Sequence, residues 1–135
     1  IDALRAAYLD AGVDAECFAF IEDIVARYAE ADLVVCRGGA TTVAELAAVG
    51  VGAIIVPLPG AIADEQSGNA QFLVDAGAGE RIAQADLTPE RLAARLVSCT
   101  RESLLAMALA ARKVARPDAA ERVANACIDL GTPAR

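Results

Sequence analysis

The residues best suited to chemistry form one run, Cys36-Arg37-Gly38-Gly39-Ala40-Thr41-Thr42-Val43-Ala44-Glu45, where an apolar stretch meets a helix-forming one. Glycine has no Cβ, so Gly38 and Gly39 let the backbone come close to a ligand. At the start of a helix, the N–H groups of Ala40, Thr41 and Thr42 have no intrahelical acceptors. The helix dipole favours an anion there, each contact being worth about 0.3–1 kcal/mol, and a diphosphate is the natural occupant. Glu45 follows Thr41 by one turn and shares its face. Helical side chains lean toward the N-terminus, which carries the carboxylate back toward the ligand, where a ribose diol could donate to it. A plainer account also fits: Thr41 or Thr42 caps the helix and Glu45 answers its dipole. Spacing does not separate the two, because Gly-Gly before a helix is a weak signal.

A second cluster, Asp64-Glu65-Gln66-Ser67-Gly68-Asn69-Ala70, follows the next apolar stretch and falls on the same rim. Gln66 and Asn69 share a helical face, and amides both donate and accept, which suits sugar hydroxyls. A polar first turn capped by Asp64 is the plainer account. Ile21, opening an earlier helix, is either a contact for a base or an ordinary core residue. No catalytic residue, metal ligand or cofactor is assigned. Cys17, Cys36, Cys99 and Cys127 form no CxxC pair, the chain has no histidine, and no carboxylate cluster suits Mg²⁺. The cysteines read as free thiols buried in a reducing cytoplasm.

The elements that must hold these residues alternate between short β-like runs and longer helices. Helices are expected over 1–11, 21–31, 40–49, 65–76, from Thr88-Pro89-Glu90 onward, over 101–115 and over 118–130. Gly12, Gly50 and Gly77 end three of them. Strands are expected at 17–20, 32–36, 53–56 and around 80–82, with 57–64 as a loop. The run Asp32 to Cys36 is apolar on both faces, as in a central parallel strand. Strands separated by such helices imply parallel βαβ units, hence an α/β, Rossmann-like three-layer sheet. A strand and glycine-rich turn would normally precede the first helix, and the chain opens with Ile1, so it reads as a fragment of a longer protein.

Composition removes other classes. A net charge of −7 and 4 % aromatic residues suit neither a phosphate backbone nor base stacking, so nucleic acid is not an expected partner. No apolar run approaches the roughly 20 residues that span a bilayer.

Taken in order, several segments resemble a known family. They are Phe20-Ile21-Glu22-Asp23-Ile24, the run Ala31 to Glu45, Val56-Pro57-Leu58-Pro59, Asp64 to Ala70, Asp75-Ala76-Gly77-Ala78-Gly79 and Pro117-Asp118-Ala119-Ala120-Glu121-Arg122-Val123-Ala124. The chain resembles the C-terminal half of the MurG family, the undecaprenyldiphospho-muramoylpentapeptide N-acetylglucosaminyltransferases. The resemblance implies a GT-B fold, with 1–116 as a UDP-sugar-binding Rossmann-like domain and 117–135 as a C-terminal helix. It implies an inverting hexosyltransferase of peptidoglycan synthesis that moves N-acetylglucosamine from UDP-GlcNAc to lipid I, giving lipid II. By the same resemblance, the stretch Ala40, Thr41, Thr42, Val43, Ala44 and Glu45 holds the donor, Glu45 lies on the ribose, Gln66 contacts the donor and Ile21 lies by uracil. A helix N-terminus can stabilise a departing diphosphate without a metal.

The implied partners are UDP-GlcNAc here and lipid I on the other half, which would also carry the general base and touch the membrane surface. The implied location is the cytoplasmic face of the inner membrane, and this chain alone is expected to be inactive. Two positions depart from the family: Glu65 stands where histidine is frequent, and Gly52 where proline is frequent. Another GT-B nucleotide-sugar enzyme, such as a lipid glycosyltransferase or UDP-GlcNAc epimerase, is the first alternative. A non-catalytic Rossmann-like binding module is the second.

Overall fold

The computed structural model describes residues 1–61 and 64–131. Positions 62 and 63 of the expected loop, and 132–135 of the expected C-terminal unit, lie outside the described residues. In chain order the elements are α1 (Asp2–Asp10), α2 (Ile24–Glu30), β1 (Leu33–Cys36), α3 (Ala40–Val49), β2 (Gly52–Ile55) and α4 (Glu65–Asp75). They are followed by β3 (Gly79–Arg81), α5 (Pro89–Val97), α6 (Arg101–Val114) and α7 (Ala119–Gly131). The strands are parallel in the order β1-β2-β3. Leu33 to Cys36 lie beside Gly52 to Ile55, and Ala53 to Ile55 beside Gly79 to Arg81.

Local chemistry explains most boundaries. The C-cap of α3, Gly50, has φ 83°, a left-handed conformation open to glycine, and its N–H returns to the Leu46 carbonyl at 2.9 Å. Thr88 caps α5 by accepting from the Arg91 N–H, with Pro89 in the first turn where a missing N–H costs nothing. Thr100 and Ser103 exchange hydrogen bonds in a capping box at the start of α6. Each such cap contributes about 0.5–2 kcal/mol.

The core gathers on β2. Val43, Leu46 and Ala47 of α3, Ala70 and Leu73 of α4, and Ala111 of α6 pack with Ala53 and Ile55. Ile54 points to the opposite face of the same strand and is also fully buried, so β2 is covered on both sides. Burying each large aliphatic side chain contributes about 1.5–3 kcal/mol. Gly52 belongs to this packing: a Cβ there would stand 2.9 Å from Met107 Cβ, so α6 lies too close to β2 for a side chain.

Four expectations are corrected. Residues 17–20 form no strand, because among the described residues no neighbour pairs with them; Phe18 and Phe20 lie exposed, with the Arg27 guanidinium 4.8 Å over the Phe18 ring. The following helix begins at Ile24 rather than Ile21, because Asp23 caps it by accepting from the Ala26 N–H at 2.9 Å. Among the described residues β1 pairs on one side only, with β2, rather than between two strands as expected, and Val35 is 46 % exposed. Asp64 precedes α4 with φ 54° and caps no backbone amide; a capping side chain needs extended backbone, and instead Asp64 accepts from the Ser67 hydroxyl at 2.7 Å.

Candidate functional site

The carboxyl ends of β1 and β2 open onto the N-termini of α3 and α4, where open α/β sheets hold ligands. The N-cap of α3 is Gly39, with φ −65° and ψ 141°, and no side chain caps the helix. Thr41 and Thr42 therefore do not serve as caps. The first backbone bond of the helix is from the Val43 N–H to the Gly39 carbonyl at 3.0 Å. Ahead of it, the N–H groups of Ala40, Thr41 and Thr42 meet no acceptor among the described residues. Ala40 and Thr41 are exposed and Thr42 is half-buried. Val43 turns its side chain into the core, while Ala44 is exposed.

The two glycines have different reasons. A Cβ on Gly38 would lie 2.3 Å from the Gln66 carbonyl oxygen, so Gly38 is where the α3 loop is pressed against the first turn of α4. Gly38 therefore has an internal reason to lack a Cβ, beside the ligand approach expected of it. Gly39 is open: a Cβ there would meet Thr42 Oγ1 at 3.6 Å, an ordinary contact.

Gln66 and Asn69 are brought to the same place, and each has a structural bond. The Asn69 Nδ2 group donates to the Gly38 carbonyl at 3.0 Å, which ties α4 to the α3 loop. Gln66 Oε1 accepts from the Leu58 N–H at 2.9 Å, which leaves its Nε2 group as a donor. Glu45 is half-buried and makes no ion pair among the described residues. Its charge reaches Tyr28 of α2, whose phenol is pushed above its ordinary range first by burial, then by Glu45 and Cys36. Burial alone pushes the Cys36 thiol up to about 11. Ile21 stands apart, in the loop before α2, lining a shallow cleft of about 370 Å³ with Phe18, Phe20 and Arg27.

Arg37 is the functional-looking residue that the sequence motif contained and spacing did not interpret. Its Nη1 group donates to the carbonyls of Val56 (3.1 Å) and Pro57 (3.4 Å), and to Gln84 Oε1 at 2.7 Å. A cation directly after a buried strand was the available signal. Gln84 opens a 3-10 turn, Gln84–Asp86, that the sequence did not announce. Among the described residues no group of three His, Cys, Asp or Glu could hold a metal ion, and no helix is long and apolar enough to cross a membrane.

Comparison with known proteins agrees with this architecture. Over 130 residues the chain is 56 % identical to the UDP-N-acetylglucosamine–N-acetylmuramyl-(pentapeptide) pyrophosphoryl-undecaprenol N-acetylglucosamine transferase of Aromatoleum aromaticum. That alignment covers 96 % of this chain and 36 % of the relative. The protein of the same name from Aeromonas hydrophila is 56 % identical over 133 residues, covering 97 % and 37 %. The crystal structure of Acinetobacter baumannii MurG superposes with a TM-score of 0.90 at 41 % identity, covering 96 % of this chain and 40 % of that one. The chain thus spans between a third and two fifths of the length of these relatives, and its sheet and helices are those of a GT-B C-terminal Rossmann-like domain. Residues 3–123 match the glycosyltransferase family 28 C-terminal domain, and the chain belongs to that family.

Proposed function

We propose that this chain is the donor-binding half of an inverting N-acetylglucosaminyltransferase. The reaction transfers N-acetylglucosamine from UDP-GlcNAc to lipid I and yields lipid II for peptidoglycan. The observation that carries the reading is the uncapped start of α3, set against the first turn of α4 at the carboxyl rim of the sheet. It supports a diphosphate resting against the Ala40, Thr41 and Thr42 amides, with α3 extending behind them through Val43 and Ala44. As the sugar–phosphate bond breaks, negative charge grows on the departing UDP, and amides already aimed there need no reorganisation. Glu45 holds the ribose, Gln66 offers Nε2 to the sugar, Asn69 fixes the loop that carries the amides, and Ile21 borders the uracil.

The chain has no histidine, so no imidazole base for the acceptor hydroxyl comes from it. The lipid acceptor, the base and contact with the cytoplasmic face of the membrane belong, in this reading, to a partner half. Calorimetric titration with UDP and UDP-GlcNAc, with ADP as control, tests the proposal. Binding of both uridine ligands, without transferase turnover by the chain alone, is the expected result. A folded chain that binds neither would overturn it.

A further inference from the structure

Gln84 comes from beyond β3 and has no place in the donor site as described, yet it is joined to both of that site's arms. Arg37 runs directly into Gly38, Gly39 and the first turn of α3. The two β2-side carbonyls that Arg37 grips, Val56 and Pro57, lead into Leu58, whose N–H holds Gln66. Arginine side chains have many rotamers, and this one is exposed at the rim. Its shortest bond is the one to Gln84 Oε1. Gln84 in turn sits on a fixed base: the Ile82 N–H donates to the Ile55 carbonyl at 2.9 Å, and the Leu87 N–H closes the turn onto the Gln84 carbonyl.

We propose that Gln84 is a positioning residue for the donor site, holding Arg37 in the one rotamer that clamps the α3 loop to the Gln66 loop. The inference rests on the donor-site reading above. Gln84 touches no ligand and acts through Arg37 alone. Its side chain is needed as an acceptor, so a carboxylate of the same length should serve, and a methyl group should not.

The full chain is compared as wild type, Gln84→Ala and Gln84→Glu, by amide hydrogen exchange and by titration with UDP-GlcNAc. In Gln84→Ala, exchange at Leu58 and Val43 should rise severalfold, while Ala53, bonded within the sheet to the Ala78 carbonyl, stays unchanged. Kd should rise about two- to tenfold, the range expected for the net loss of one hydrogen bond. Gln84→Glu should match wild type within about twofold on both measures. Unchanged exchange at Leu58 and Val43 in Gln84→Ala overturns the proposal, and so does altered exchange with an unaltered Kd. If the exchange pattern appears as expected but wild type binds no UDP-GlcNAc, the donor-site reading falls and the bracing of the two loops by Gln84 stands.

Discussion

Replacing Gly38 by alanine tests the joint between the two helix starts directly. The added Cβ would sit 2.3 Å from the Gln66 carbonyl oxygen, 3.1 Å from its carbon and 3.2 Å from Gln66 Cβ. A carbon and an oxygen settle at about 3.3–3.6 Å, so backbone must yield by about 1 Å. Overpacking of this kind costs about 1–3 kcal/mol. The same displacement pulls the Gly38 carbonyl from Asn69 Nδ2, now at 3.0 Å, which costs about 0.5–1.5 kcal/mol more. The expected total is about 1.5–4.5 kcal/mol. Unfolding entropy of about 2.1 cal/mol/K per residue over 135 residues gives about 0.28 kcal/mol/K, so Tm should fall by about 5–16 °C. Gly39→Ala is the internal control. Its backbone is open to alanine and its methyl group meets Thr42 Oγ1 at 3.6 Å, so stability should change by less than about 1 kcal/mol. Thermal and urea unfolding followed by circular dichroism measure both. Equal losses for the two variants, or a Gly38→Ala protein as stable as wild type, would refute the clamped geometry.

Four further outcomes follow from particular contacts. Glu45→Ala should weaken UDP binding about tenfold or more, the worth of hydrogen bonds to a charged group, whereas Glu65→Ala should leave it nearly unchanged; equal affinities in calorimetry would remove the ribose assignment. Cys36, its thiol pushed from 9.0 up to about 11, should resist iodoacetamide at pH 8 while exposed Cys127 reacts, and peptide mass mapping would show equal rates if the burial were wrong. Because the fold favours the neutral Cys36 thiol, its contribution to stability is complete below pH 9.0 and declines as pH rises toward about 11. Gly52→Ala should cost about 1–3 kcal/mol through its approach to Met107 Cβ, and the loss should shrink in the Gly52→Ala, Met107→Gly double variant, which removes that Cβ; additive losses in urea melts would place the clash elsewhere.

The helices were legible because their signals are local. Gly50, Gly77, Thr88-Pro89 and Thr100 mark ends through backbone angles and nearby amides, and each boundary lies within a residue or so of the one read from sequence. Two of the failures depended on neighbours distant in the chain. Residues 17–20 have strand composition but no ladder partner among the described residues, and β1 has the apolar pattern of a central strand while pairing, among those residues, on one side only. The site divided the same way. The face shared by Gln66 and Asn69 could be read from spacing, since it depends on one helix, whereas spacing left an open α3 start and one capped by Thr41 or Thr42 undivided. That Gly38 is pressed against α4, and that Arg37 reaches Gln84 across 47 positions, depends on tertiary approach that no local pattern encodes.

The outer side of β1 bears on how the purified chain behaves. Away from β2, its amides and carbonyls find no ladder partner among the described residues, and Val35 stands uncovered next to them. Such a border can recruit a foreign extended segment by main-chain pairing, another copy included. The charge of −7 keeps copies apart in dilute buffer, and added salt screens that repulsion beyond about 10 Å at 0.1 M. Low ionic strength and a lysine in place of Val35 should therefore both delay self-association, the first by repulsion at a distance and the second by guarding the border itself.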